Sequence, residues 1–128
     1  VSAEPLGFGR AETLPSPPAS MALVRFTFAP GSRFVFDPND PAVALVYVES
    51  GALTLHVGAP LSVTRAAMMA TPETAPFEAV AAGTEITLGP GDSAVFPPFA
   101  AGELRNDGTG LAVALVANIV PEAVGTPP

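Results

Sequence analysis

The 128-residue chain has no cysteine, no lysine and no tryptophan, and it carries one histidine and one tyrosine. Lacking thiols, it can form no disulfide, thiolate nucleophile, iron–sulfur cluster or cysteine-ligated zinc site. The five cationic side chains are all arginines and face twelve carboxylates, for a formal charge of −7 and a pI near 4.3. Such a chain offers no basic patch to neutralise a run of phosphates, so neither nucleic acid nor an anionic membrane surface is an expected partner. The longest apolar runs, 42–48 and 111–117, fall well short of the ~18 residues that a helical membrane span requires. Two catalytic signatures also fail. Ser93 follows Gly91-Asp92, but position 95 is Val where a nucleophile elbow needs Gly. Gly7-Phe8-Gly9 lacks the third glycine of a dinucleotide loop and the helix that would follow it.

What the chain does have is proline and glycine, sixteen and twelve residues, punctuating short segments rich in Val, Leu, Phe and Thr. The length and the 48% hydrophobic fraction fit one domain with a single core. Alternation predicts strands over 21–28, 32–36, 42–49, 52–57, 61–65, 77–80, 85–88, 93–96, 102–106 and 111–119. Roughly ten short strands separated by turn residues argue for an all-β sandwich or barrel with little or no helix. Residues 1–20 read as an N-terminal arm with one edge strand near 6–8, residues 21–120 as the barrel, and 121–128 as a tail. The Ala/Pro/Thr stretch 66–76 reads as a mobile loop. The segment 42–49 is apolar on both faces, which implies a cover from the arm or from a second subunit.

The turns carry a more specific pattern. Gly91, Pro97 and Asn106 match the glycine, proline and asparagine of the second motif of the cupin superfamily. In the same frame, Phe99 stands at the motif's second glycine and Gly102 at its metal-binding histidine. Gly31 and Gly51 match the glycines that bound the first motif, whose two histidines read Asp37 and Asn39 here and whose glutamate reads Ala44. The chain thus resembles small, exported bacterial cupins over ~20–120. That resemblance implies a jelly-roll β-barrel with its functional pocket inside, commonly paired as a homodimer. It also implies an extracellular or periplasmic location after removal of a signal segment, in keeping with a chain that begins at Val1.

The resemblance implies a cage of three histidines and a glutamate, and all four positions differ. A non-haem iron or catalytic zinc site needs several imidazoles or thiolates, and an oxygen-only calcium site needs about six ligands. No metal and no other cofactor is therefore expected. His56, the one imidazole, alternates with Leu53, Leu55 and Val57, which puts it with Thr54 on the outer face. Asp37, Asn39 and Asp40 read as an Asx-Pro turn in preference to an ion site, and Glu103 and Arg105 as an outer-face pair. Phenylalanines 26, 28, 34, 36, 77, 96 and 99 read as core fillers in preference to a ligand cup.

Carried onto cupin geometry, the cup would have Asp37, Asn39, Ala44 and Gly102 at its floor and Val46, Val48, Leu53, Leu55, Phe96 and Leu104 around it. The resulting expectation is a non-catalytic, metal-free protein that binds a small molecule in this cup or serves a structural role. One alternative is a divergent cupin enzyme (dioxygenase, isomerase or epimerase) built around Asp37, Asn39, His56 and Glu103. The other is a purely structural module that dimerises through the apolar 42–48 strand.

Overall fold

Short β-rich segments between obligatory turns leave the chain one economical way to bury its apolar faces, which is to stack two antiparallel sheets. The computed structural model describes residues 1–68 and 78–122. Its strands are β1 (Ala19–Phe28), β2 (Arg33–Phe36), β3 (Val43–Ser50), β4 (Leu53–Val57), β5 (Leu61–Thr64), β6 (Glu78–Val80), β7 (Glu85–Leu88), β8 (Ser93–Phe96), β9 (Gly102–Arg105) and β10 (Ala112–Pro121). One sheet runs β1-β10-β3-β8-β5-β6 and the other β2-β9-β4-β7. With β5 and β6 set aside, the remaining eight strands give the jelly-roll order, β1-β10-β3-β8 against β2-β9-β4-β7, and β5 and β6 extend one edge.

The all-β jelly roll expected from the sequence is present, with its two sheets left unclosed: among the described residues no ladder joins them. The edge strands β1 and β2 meet through the rings of Phe26 and Phe34, centroids 5.4 Å apart, where a barrel would have backbone hydrogen bonds. Alternate residues of both sheets point inward. Val46 and Val48, Leu53, Leu55 and Val57, Leu88, Leu104, Ala112 and Ala114 are all at most 2% exposed and form one core.

The segment before β1 forms no strand, which corrects the strand expected near 6–8. It instead runs against the outer face of the larger sheet. A Cβ on Gly9 would collide with Val95, and one on Gly7 would lie 2.8 Å from the Ser93 hydroxyl and 3.4 Å from the Tyr47 ring. The second apolar face of β3 thus has the arm as its cover. Within the expected loop 66–76, Ala66–Met68 forms one turn of 3-10 helix. The rest of that loop from 69 onward, Phe77 and the tail beyond 122 lie outside the described residues.

The frame residues of the two motifs are tied to one another. The Gly31 N–H donates to the Asn106 carbonyl at 2.8 Å, and the Asn106 N–H donates to Ser32 at 2.9 Å. The Asn106 side chain, 1% exposed, donates to the carbonyls of Phe28 (2.9 Å) and Gly110 (2.8 Å) and accepts from the Gly108 N–H (3.0 Å). Gly51 has φ +72°, and a Cβ there would sit 2.6 Å from the Leu111 carbonyl oxygen, so the turn leading into β4 admits glycine alone.

Candidate functional site

The inner faces of the sheets do not fill the sandwich completely. Where β2 ends, β3 begins and β8 and β10 finish, a cavity of about 350 Å³ remains, within the range of small-molecule sites. Its wall is aromatic. Phe28 and Phe26 on β1, Phe34 and Phe36 on β2 and Phe96 on β8 line it, together with Ala44, Val46, Leu104 and Val116. The five rings form a continuous chain, with centroid separations of 6.3 Å (Phe28–Phe26), 5.4 Å (Phe26–Phe34), 5.5 Å (Phe34–Phe36) and 4.7 Å (Phe36–Phe96). All four contacts are tilted or edge-on, the arrangements that the ring quadrupole favours. Period-2 alternation on β1 and β2 sets this up, because Phe26/Phe28 and Phe34/Phe36 each recur on the same face of a strand.

Polar groups sit on one side of this apolar wall. Asp37 and Asp40 line the cavity from the loop after β2, and Asn118 lines it from β10. The loop is held by Asx hydrogen bonds, as expected. Asp37 Oδ1 accepts from the Asn39 N–H and Asp40 Oδ1 from the Ala42 N–H, both at 2.9 Å. The Phe99 N–H, donating to the Asp40 carbonyl at 2.8 Å, ties this loop to the segment after β8. Among the described residues neither Asp37 nor Asp40 has an ion-pair partner.

The arginines are committed elsewhere. Arg10 pairs with Glu12, Arg25 with Glu49, Arg33 with Glu103, and Arg65 with Glu78 and Asp92. Arg105 fans across Glu85, Glu103 and Asp107 on the outer face of the smaller sheet. Hydrogen bonds that it donates to Asp107, then Glu103, then Glu85 hold its guanidinium still more firmly in the charged form. In return, the hydrogen bond from Arg105 holds the Asp107 carboxyl below the usual carboxylate range.

Of the expected cup residues, Asp37, Ala44, Val46, Phe96 and Leu104 line this cavity. Asn39 is exposed on the loop, and Val48, Leu53 and Leu55 are fully buried in the packed core. Gly102 starts β9 and pairs with Val57 of the neighbouring strand β4; it has φ +148°, and a Cβ there would collide with the His56 carbonyl oxygen and stand 2.7 Å from Val57 Cα. His56 is exposed and lies opposite Glu85 on one side and Glu103 on the other, on the outer face of its sheet. The constellation of Asp37, Asn39, His56 and Glu103 is therefore not assembled around one point. Sequence reading passed over Asn118, whose signal was a lone polar residue on the inward-facing period of an otherwise apolar strand.

The metal cage that the resemblance implies does not fit these residues. Ala44 offers no donor, the Gly102 backbone has no room for a side chain, and Asp37 already accepts a hydrogen bond from its own turn. Among the described residues no group of three or more His, Asp or Glu side chains is gathered closely enough to hold an ion.

No protein-family model matches the chain, and no curated protein matches it. Among solved structures it is similar to RmlC from Streptococcus suis in complex with dTDP-D-xylose, at 10% identity and a TM-score of 0.48, covering 82% of this chain and 46% of that one. It is also similar to an oxalate oxidase at 15% identity and a TM-score of 0.35, covering 95% and 63%, respectively. A domain of Drosophila melanogaster CENP-C shows 11% identity and a TM-score of 0.35, covering 75% and 56%. The chain spans less than two thirds of the length of each of these structures.

Proposed function

We propose that this protein is a metal-free, non-catalytic jelly roll that holds a small molecule in the aromatic cavity between its sheets. The observation that carries the reading is the cavity of about 350 Å³, walled by five phenylalanines and edged by Asp37, Asp40 and Asn118. An apolar concavity with a few polar groups at one side is the usual form of a small-molecule site. The close approach of the β4 backbone to Gly102 supports the metal-free part, because a ligating side chain in this backbone conformation would need the paired strands to move apart. A fragment screen by protein-observed NMR tests the reading. Ligands should shift resonances of Phe36, Ala44 and Phe96, and Ala44→Leu, which fills the cavity, should abolish those shifts while the protein remains folded. Stoichiometric retention of iron, manganese, zinc or nickel at the cavity would overturn it.

We further propose that two copies associate through β1. This edge strand exposes Met21 (79%) and Leu23 (72%) next to each other on one face, and a long edge with apolar side chains is a ready pairing surface. Light scattering should give a dimeric mass for the native chain and a monomeric one for Leu23→Glu. A monomeric native chain would refute this second reading and leave the first untouched.

A further inference from the structure

We propose that the cavity selects an organic cation, an amine or quaternary ammonium head on a compact apolar body; this rests on the reading of the cavity as a small-molecule site. Three observations converge on that charge. First, Phe26, Phe28, Phe34, Phe36 and Phe96 present a continuous set of tilted rings, and the negative face of each ring attracts a cation placed against it. Second, Asp37 and Asp40 line the same cavity with no ion-pair partner among the described residues, and each commits one oxygen to a turn N–H. Third, all five arginines of the chain are bonded to other carboxylates, so the protein keeps no cation in reserve for these two.

The sign of the discrimination follows directly. An anionic ligand would enter an apolar space edged by two solvent-exposed carboxylates and find no positive group in the lining, so desolvation and a solvent-screened repulsion both oppose it. A neutral ligand would gain only the apolar contact. A cation gains the contact, the ring quadrupoles and the carboxylates, while Asn118 remains as an amide for a hydroxyl or carbonyl on the ligand.

Isothermal titration at low ionic strength with three probes of comparable size tests this: choline, its neutral isostere 3,3-dimethyl-1-butanol, and the anion 3,3-dimethylbutanoate. Choline should bind about tenfold more tightly than the neutral isostere, and the anion should bind most weakly. In the double variant Asp37→Asn/Asp40→Asn, which keeps both side-chain oxygens for the turn, the advantage of choline should shrink severalfold while the neutral probe binds as before. Equal binding of choline and the neutral isostere, or preference for the anion, would overturn the cation proposal and leave the cavity reading standing. Binding of none of the three, with no NMR shift at Phe36 or Phe96, would overturn both.

Discussion

The carbonyl oxygen of His56 occupies the space that a side chain on residue 102 would need. The β4–β9 pairing is thus built for a glycine that combines φ +148° with direct backbone approach, and each requirement disfavours other residues. Gly102→Ala should destabilise the fold by about 2–4 kcal/mol, the range for combined backbone strain and steric overlap. Urea denaturation followed by circular dichroism measures it. A midpoint unchanged from the native chain would mean that the paired backbones relax freely and that position 102 can accommodate a ligating residue after all.

Asn106 joins the turn after β9 to the end of β1 through two donated bonds and one accepted bond, in a site almost wholly shielded from water. Asn106→Leu keeps the approximate volume but strands two carbonyls and one N–H, which should cost about 3 kcal/mol. Asn106→Asp adds a distinguishing signature. An ionised carboxylate facing the Phe28 and Gly110 carbonyls is repelled, so its folded-state pKa rises above the unfolded value. That variant should therefore recover stability as pH falls through the raised pKa, and a pH series of melting temperatures between about 4 and 7 would reveal it. Parallel pH curves for native chain and variant would contradict the assignment.

Much of this fold is readable from the chain, because the signals are local. Period-2 alternation gives the β-strands their inward faces, Pro and Gly mark their ends, and Gly31, Gly51 and Asn106 mark close backbone contacts between elements. The site is half legible for the same reason. Ala44, Val46, Phe96 and Leu104 are reached by carrying the resemblance onto the alternating strands, whereas Val48, Leu53 and Leu55, placed in the same way, are buried in the packed core. Depth along a strand is set by sheet twist and by the β1–β2 edge contact, which are global properties. Asn118 escapes notice because a single amide on an apolar strand becomes meaningful only when Asp37 and Asp40, some eighty residues earlier in the chain, are seen to share its cavity.

The outer face of the smaller sheet predicts an acid dependence. The hydrogen bond from Arg105 lowers the pKa of Asp107 in the folded state, so its stabilising contribution is complete above the unfolded value of about 4 and is lost as pH falls through the lowered folded value. Asp107→Asn should therefore differ most from the native chain at neutral pH and converge with it as pH falls through that lowered value, as followed by thermal melts from neutral to acidic pH. A difference that stays constant with pH would show that the Arg105 pair does not titrate with folding.

Phe99 offers the opposite kind of change. It stands at the position where the cupin frame has its second glycine, its φ is +61°, and its ring is 61% exposed, so the chain bears a left-handed side-chain conformation with little packing in return. That strain is worth about 1–2 kcal/mol, and the extra backbone freedom of glycine in the unfolded state gives back about 0.5–1 kcal/mol. Phe99→Gly should consequently raise stability by up to about 1 kcal/mol, a shift of a few degrees in Tm. Phe99→Ala separates backbone from ring, since it removes the ring but keeps the unfavourable φ, and it should show no such gain. The same residue donates its N–H to the Asp40 carbonyl, so the left-handed turn also carries one tether of the cavity rim. If glycine and alanine give the same Tm, the left-handed turn is not where the strain resides, and the tether to Asp40 would have to be judged on its hydrogen bond alone.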